Sequence, residues 1–198
     1  RKIRIIGVKI FKKINYSIMF DRIEAGTMLI AGALIKGNLN IMKIDPKVIK
    51  TEIDILKKIG VKIKILNNQI NVSGGKKIKS INISTAAYPG FPTDLQAQIM
   101  VLLCKANKNS IIKEKIFENR FMHVPELNRM GAKIKINGNR ATIHGNINFE
   151  GSEVTASDLR ASVSLVLAAL SAQGKSTIHR IYHLDRGYEE IEKKLKKI

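Results

Sequence analysis

The residues best suited to chemistry gather where strands give way to helices. In STAAYPGFPTDLQAQIM, Ser84 to Met100, a strand ends, a Pro/Gly turn follows, and a helix opens on Asp94. Pro89 and Pro92 fix φ and remove two backbone donors, and Gly90 permits a tight reversal, so the strand expected over 80–88 cannot run on through 89–92. Thr93 and Asp94 stand where an N-cap belongs, ahead of the apolar run from Leu95 to Leu103. A carboxylate there has two uses. It can cap, accepting a first-turn N–H with its charge matched to the helix dipole. It can also serve as a general base or substrate anchor on a loop held by rigid elements.

Arginines occupy the same kind of place. IFENRFMHVPEL sets Glu118, Asn119 and Arg120 ahead of a helix, and IYHLDRGYEEIE sets Asp185 and Arg186 at the equivalent point further on. Arg160 follows Asp158 by two residues, in the first turn of its own helix. In α/β folds such connections line one end of the sheet, and arginine there suits bidentate capture of carboxylate or phosphate. A surface ion pair, such as Arg186 with Asp185 or Glu189, is the plainer alternative. QGKST at 173–177 lacks the earlier glycine and the strand-to-helix context of a phosphate loop, so it reads as a turn. His179 and His183 share no helical face, no second ligand cluster accompanies them, and nothing points to a metal. Cys104, inside MVLLCKA, reads as a buried, inert thiol.

The elements that must position these residues repeat three times. Each unit is a strand, an aspartate, an apolar helix, a strand and an amphipathic helix, with Asp21, Asp94 and Asp158 in corresponding places. Helices over 23–35, 95–105 and 159–172 are apolar on nearly all sides and belong inside. Short β-segments follow at Asn38–Met42, Ser110–Lys113 and Ser176–Ile181. Amphipathic helices are expected at 46–60, 122–131 and 187–198. In the first two units a glycine ends that helix and a hairpin follows, VKIKILNNQINV and AKIKINGNRATIHG. The fold class is therefore α/β (α+β): three βαβαββ repeats at about 14–73, 78–146 and 150–198, the third without its closing hairpin. Residues 1–19 read as strands continuing from a domain ahead of Arg1, so the chain is expected to be a piece of a longer protein.

With 198 residues, 44% hydrophobic and 26% charged, the composition is that of a globular protein with a substantial core. No apolar run approaches the roughly 20 residues of a membrane span. A single cysteine excludes an internal disulfide framework and fits a cytoplasmic location. The net charge of +19 invites a nucleic-acid reading, but the lysines are spread over almost every segment and aromatics are only 5%, without an aromatic-basic platform. Nucleic acid is not the expected partner.

Taken together, DRIEAGT, TAAYPGFPTDLQAQ, IFENRFMHVPEL, RMGA, SDLRAS and RIYHLDRGYEEIEKKL resemble the C-terminal half of the UDP-N-acetylglucosamine 1-carboxyvinyltransferases, a family of enolpyruvyl transferases. The likeness runs in order through the whole chain. It implies the inside-out α/β barrel domain of that superfamily and transfer of the enolpyruvyl group of phosphoenolpyruvate to a sugar 3-hydroxyl, opening peptidoglycan synthesis. FPTDLQAQ, FENRFMHVPEL and IYHLDRGYE favour the amino-sugar enzymes over the shikimate branch. By resemblance, Asp94 would take the hydroxyl proton and bind the sugar, and Ile116 would contact the nucleotide sugar through its backbone. Arg120, Arg160 and Arg186 would hold phosphoenolpyruvate, with Glu118 and Asp158 orienting them. No cofactor is implied. The family's Lys-Asn pair, loop cysteine and uridine-binding segment belong to an N-terminal half. A separate chain is thus an expected partner, and a non-catalytic remnant is the competing reading.

Overall fold

The computed structural model describes residues 2–35, 37–75 and 77–197. Three apolar helices form its centre: α1 (Arg22–Leu34), α3 (Gln96–Cys104) and α5 (Leu159–Leu170), with α3 packed against both of the others. Every residue of α3 is buried, which is why its sequence carries no polar face. Close approach depends on small residues: a methyl group at Gly26 of α1 would collide with Leu95, just ahead of α3. Polar sequence is left to the outer helices, α2 (Lys50–Lys58) and α4 (Val124–Arg129), and to the sheets.

Among the described residues three sheets accompany this centre, one per repeat. In the first, β1 (Asn38–Met42) and β2 (Lys62–Leu66) flank β3 (Gln69–Ser73), all antiparallel. The second has the order β4-β5-β7-β6: β4 (Asn82–Ser84) runs parallel to β5 (Ser110–Lys113), and the hairpin of β6 (Ile134–Asn137) and β7 (Arg140–Ile143) completes it. In the third, β8 (Glu153–Thr155) pairs parallel with β9 (Thr177–His179). The hairpins turn at Asn67 and Gly138, both with positive φ, and Gly60 and Gly131 take the left-handed backbone that ends α2 and α4. Among the described residues no helix is long and apolar enough to cross a membrane.

Three expectations are corrected. Residues 2–20 hold no strand; Ile3, Ile5, Ile10, Phe11, Ile14 and Ile18 lie exposed, because no neighbouring strand supplies backbone partners to this segment. The strand expected over 80–88 is only Asn82–Ser84, extended by an isolated bridge between Thr85 and Phe91, since the chain reverses at once and Ala86 N–H bonds Phe91 O. The outer helices are shorter than their amphipathic patterns. Ahead of α2, Asp45 ties the N–H groups of Lys47 and Val48 into a separate turn. A short extra helix, α6 (Tyr182–Asp185), precedes the third outer helix, which is cut from the expected 187–198 to α7 (Ile191–Leu195) and starts after Glu190 adopts a φ of +46°.

Candidate active site

The three aspartates that open the central helices do not behave alike. Asp21 caps α1, accepting from Ile23 N–H at 2.7 Å and Glu24 N–H at 3.1 Å. Asp158 caps α5, accepting from Arg160 N–H at 2.8 Å and Ala161 N–H at 3.0 Å. Asp94 caps nothing. Pro92 is extended (φ −73°, ψ 140°) and starts a 3-10 turn over Thr93–Leu95, so Asp94 falls inside the turn instead of before it. Its carboxylate faces outward to Arg120, whose Nη2 donates to Oδ1 at 2.7 Å, and to Arg160, whose Nη2 donates to Oδ2 at 3.3 Å. The capping use of Asp94 is thereby overturned, and the structure joins it to two of the three arginines singled out by sequence.

Each of these groups is positioned by its own element. Arg160 sits in the first turn of α5, and Arg120 in the turn that precedes α4, its guanidinium 5.2 Å from the Phe117 ring. Both arginine side chains are mostly buried, at 27% and 19% exposure for Arg120 and Arg160, while the Asp94 side chain keeps 38%. Burial alone would raise the Asp158 carboxyl. The N–H groups of Ala161 and Arg160, the Ser157 hydroxyl and the charge of Arg120 outweigh it and hold Asp158 below its ordinary range. His123 is buried with its Nε2 unpartnered, and burial is the main cause that pushes the imidazole down to about 4, the charges of Asp158 and Arg120 acting in opposite senses.

Glu114 is the support that sequence reasoning missed. Fully buried, it accepts from the hydroxyls of Thr85 at 2.6 Å and Thr93 at 2.9 Å and from the N–H groups of Ile116 at 2.8 Å and Phe117 at 3.2 Å. It therefore ties the turn bearing Asp94 to the loop that leads to Arg120. The available signal was its place one residue past β5, in phase with buried Ser110 and Ile112. A second missed group joins all three repeats beneath the site: Gln98 Nε2 donates to Asp94 O at 2.9 Å and to Thr27 Oγ1 at 3.3 Å, and Thr27 meets Tyr188 OH at 2.9 Å.

The remaining candidates are less engaged. Ile116 is partly exposed, with its N–H given to Glu114 and only its carbonyl left for a ligand. Glu118 is exposed and bonds none of the three arginines among the described residues, although it borders, with Arg120, a groove of about 710 Å³ that Phe117, Met122 and Ile136 make apolar. Arg186 lies exposed at the end of α6, apart from the Asp94 pair, and forms no ion pair with Asp185 or Glu189 among the described residues. A larger cavity, about 940 Å³, opens at the opposite end of the bundle beside Ile35, Lys105 and Ser171. Its described lining carries Lys77 and Lys105 but no carboxylate, so a carboxylate base set beside arginines is found at the Asp94 end. Cys104 is buried, and desolvation raises its thiol to about 12, which leaves it inert as expected.

A carboxylate with two guanidiniums can accept a proton from a hydroxyl while the remaining arginine donors hold a small, doubly charged anion. Comparisons with known proteins supply the chain's relatives. UDP-N-acetylglucosamine 1-carboxyvinyltransferase of Pelagibacter ubique is 71% identical over all 198 residues, which cover 48% of that relative. The protein of the same name from Desulfosudis oleivorans is 50% identical over 197 residues and 47% of its length. The chain thus spans about half the length of the curated relatives it matches. Among solved structures, the enolpyruvyl transferase NikO from Streptomyces tendae superposes with a TM-score of 0.85 at 28% identity, over 91% of this chain and 43% of that one. EPSP synthase from Acinetobacter baumannii shares the fold, with a TM-score of 0.63 at 15% identity over 82% of this chain and 39% of that one. The sequence model of EPSP synthase (3-phosphoshikimate 1-carboxyvinyltransferase) matches residues 1–195, and the chain belongs to this family of enolpyruvyl transferases.

Proposed function

We propose that this chain supplies the base and the phosphoenolpyruvate-binding arginines of a UDP-N-acetylglucosamine 1-carboxyvinyltransferase, and that a second, N-terminal half completes the enzyme. The observation that carries this reading is Asp94, withheld from capping and set between Arg120 and Arg160. Asp94 takes the proton of the sugar 3-hydroxyl, whose oxygen adds to C2 of phosphoenolpyruvate as C3 gains a proton from a donor on the other half. Loss of a proton from C3 then expels phosphate and restores the alkene, leaving the enolpyruvyl ether. Arg120 and Arg160, joined by Arg186 from its exposed turn, offset the charge of the carboxylate and phosphate. Asp158 holds the start of α5 and hence Arg160. Glu118 steadies the Arg120 loop, and the Ile116 carbonyl faces the nucleotide sugar. Residues 1–19 form the link to the partner half, and the repeats at about 14–73, 78–146 and 150–198 make up one domain. The product enters peptidoglycan synthesis in the cytoplasm, a compartment compatible with the single reduced cysteine.

The test is phosphate release from phosphoenolpyruvate with UDP-N-acetylglucosamine. The chain is assayed alone, mixed with the N-terminal half of the Pelagibacter relative, and in that mixture with Asp94→Ala. Activity confined to the wild-type mixture is the expected result. Turnover by the chain alone, or undiminished turnover with Asp94→Ala, overturns the assignment. Silence throughout from folded chains favours the non-catalytic reading.

A further inference from the structure

The turn that delivers Asp94 is gripped from outside its own repeat. Three successive residues are held by the first unit. The Tyr88 ring lies 4.8 Å from the Arg22 guanidinium, Pro89 O accepts from Thr51 Oγ1 at 2.5 Å, and Gly90 O accepts from Arg22 Nη2 at 3.3 Å. Arg22 is in turn seated on Glu52 of α2, Nη2 to Oε1 at 2.7 Å, with side-chain exposures of 17% and 2%. The turn has few bonds of its own at this point, chiefly Gly90 N–H to Ala87 O and Ala86 N–H to Phe91 O.

A buried ion pair is a poor way to gain stability, because desolvation offsets the attraction and apolar residues of similar size serve as well. This one is also imperfectly satisfied: Arg22 Nε and both carboxylate oxygens of Glu52 are buried without a well-directed hydrogen bond, so the pair is held by charge and proximity. What an apolar pair could not do is aim a donor at a carbonyl 68 residues away. We propose that Arg22, fixed by Glu52 and assisted by Thr51, is a positioning residue that clamps the 88–90 turn to the first repeat and so sets where Asp94 stands between Arg120 and Arg160. The inference deepens the function proposed above and rests on Asp94 being its working residue, but the geometry it asserts can be read without turnover.

The experiment uses the full 198-residue chain. Guanidinium Nε–H signals of Arg120 and Arg160 are followed by NMR, assigned with Arg120→Lys and Arg160→Lys, in wild type, Arg22→Met, Arg22→Lys, Thr51→Val and the reference Asp94→Ala. Amide exchange at Leu102 and Leu165 monitors the central helices. In Arg22→Met and Arg22→Lys both guanidinium signals should move toward those of Asp94→Ala, exchanging with water at least about tenfold faster, while amide exchange at Leu102 and Leu165 stays within about twofold. Thr51→Val should give a smaller change in the same direction. Should Arg22→Met fail to fold, Arg22→Lys carries the test, because an ammonium on a shorter stem still faces Glu52 but does not extend to Gly90 O, the two contacts that Nη2 makes together in the wild type. Unchanged Arg120 and Arg160 signals in Arg22→Lys overturn the proposal. So does their loss together with protection at Leu102 and Leu165, which would make Arg22 merely structural. A failure of Asp94 as base would appear only in the turnover assay and leave these signals as they are.

Discussion

The starts of α1 and α5 and the start of α3 are built from the same repeat, yet they put the same residue type to different work. At α1 and α5 the aspartate precedes the helix in extended conformation and spends one carboxylate oxygen on two backbone N–H groups. At α3 the helix is entered through Pro92 and a 3-10 turn, no side chain caps it, and Asp94 is left free to face two arginines. A small change in backbone entry converts a stabilising carboxylate into one available for chemistry. Neighbouring groups then replace the missing cap: Gln98 holds the Asp94 carbonyl, and Glu114 holds the Thr93 hydroxyl.

That contrast can be broken or sharpened by substitution. The largest effect is expected for Asp94→Asn, which should lower turnover of the two-half enzyme by at least about 100-fold. Its folding free energy should stay within about 1 kcal/mol of wild type, since the pair it loses is partly exposed. A comparable loss of stability, seen in urea unfolding, would show that Asp94 resembles its two counterparts after all. Glu114→Ala should do the reverse, costing about 3 kcal/mol by leaving two hydroxyls and two N–H groups without their buried acceptor.

Acid sensitivity should map to the Asp158 side. The folded pKa of His123 lies near 4, below the ordinary 6.5, so the unfolded chain binds the extra proton between those values. Stability from this group is complete above pH 6.5 and is lost as pH falls toward 4. Between pH 7 and 5 the loss should be about 2 kcal/mol and should vanish in His123→Leu, as measured by denaturant unfolding at both pH values. Smaller still are the caps. Asp158→Ala should cost about 1–2 kcal/mol and Asp21→Ala, at an exposed site, about 0.5–1 kcal/mol. Because the folded pKa of Asp158 is depressed, its contribution is present above the ordinary 3.8 and disappears as pH falls through the lower folded value. Thermal melts of both variants from pH 7 to pH 3 check this.

Much of the scaffold was legible from local pattern. The three apolar helices, the β-segments after them and both hairpins lie within a few residues of expectation, because burial on all sides, alternation and Gly or Asn turns act over short distances. Asp94, Arg120 and Arg160 were legible as candidates for the same reason, each standing at a strand-to-helix junction. Glu114 was not, since a glutamate between two lysines reads as a solvated charge until the loop closes over it. Thr27, Gln98 and Tyr188 look unremarkable singly and acquire a role only where three repeats meet.

By itself, the sequence determined the threefold repeat, which helices go inside, and which charged residues stand at the helix starts, since these follow from periodicity and backbone chemistry. Only the tertiary structure decided what each aspartate does. Asp94 meets Arg120 across 26 residues and Arg160 across 66, and no local rule carries information that far. The same holds for residues 2–20, whose strand-like sequence cannot become a strand without a neighbour, because a strand, unlike a helix, completes its hydrogen bonds only on another segment.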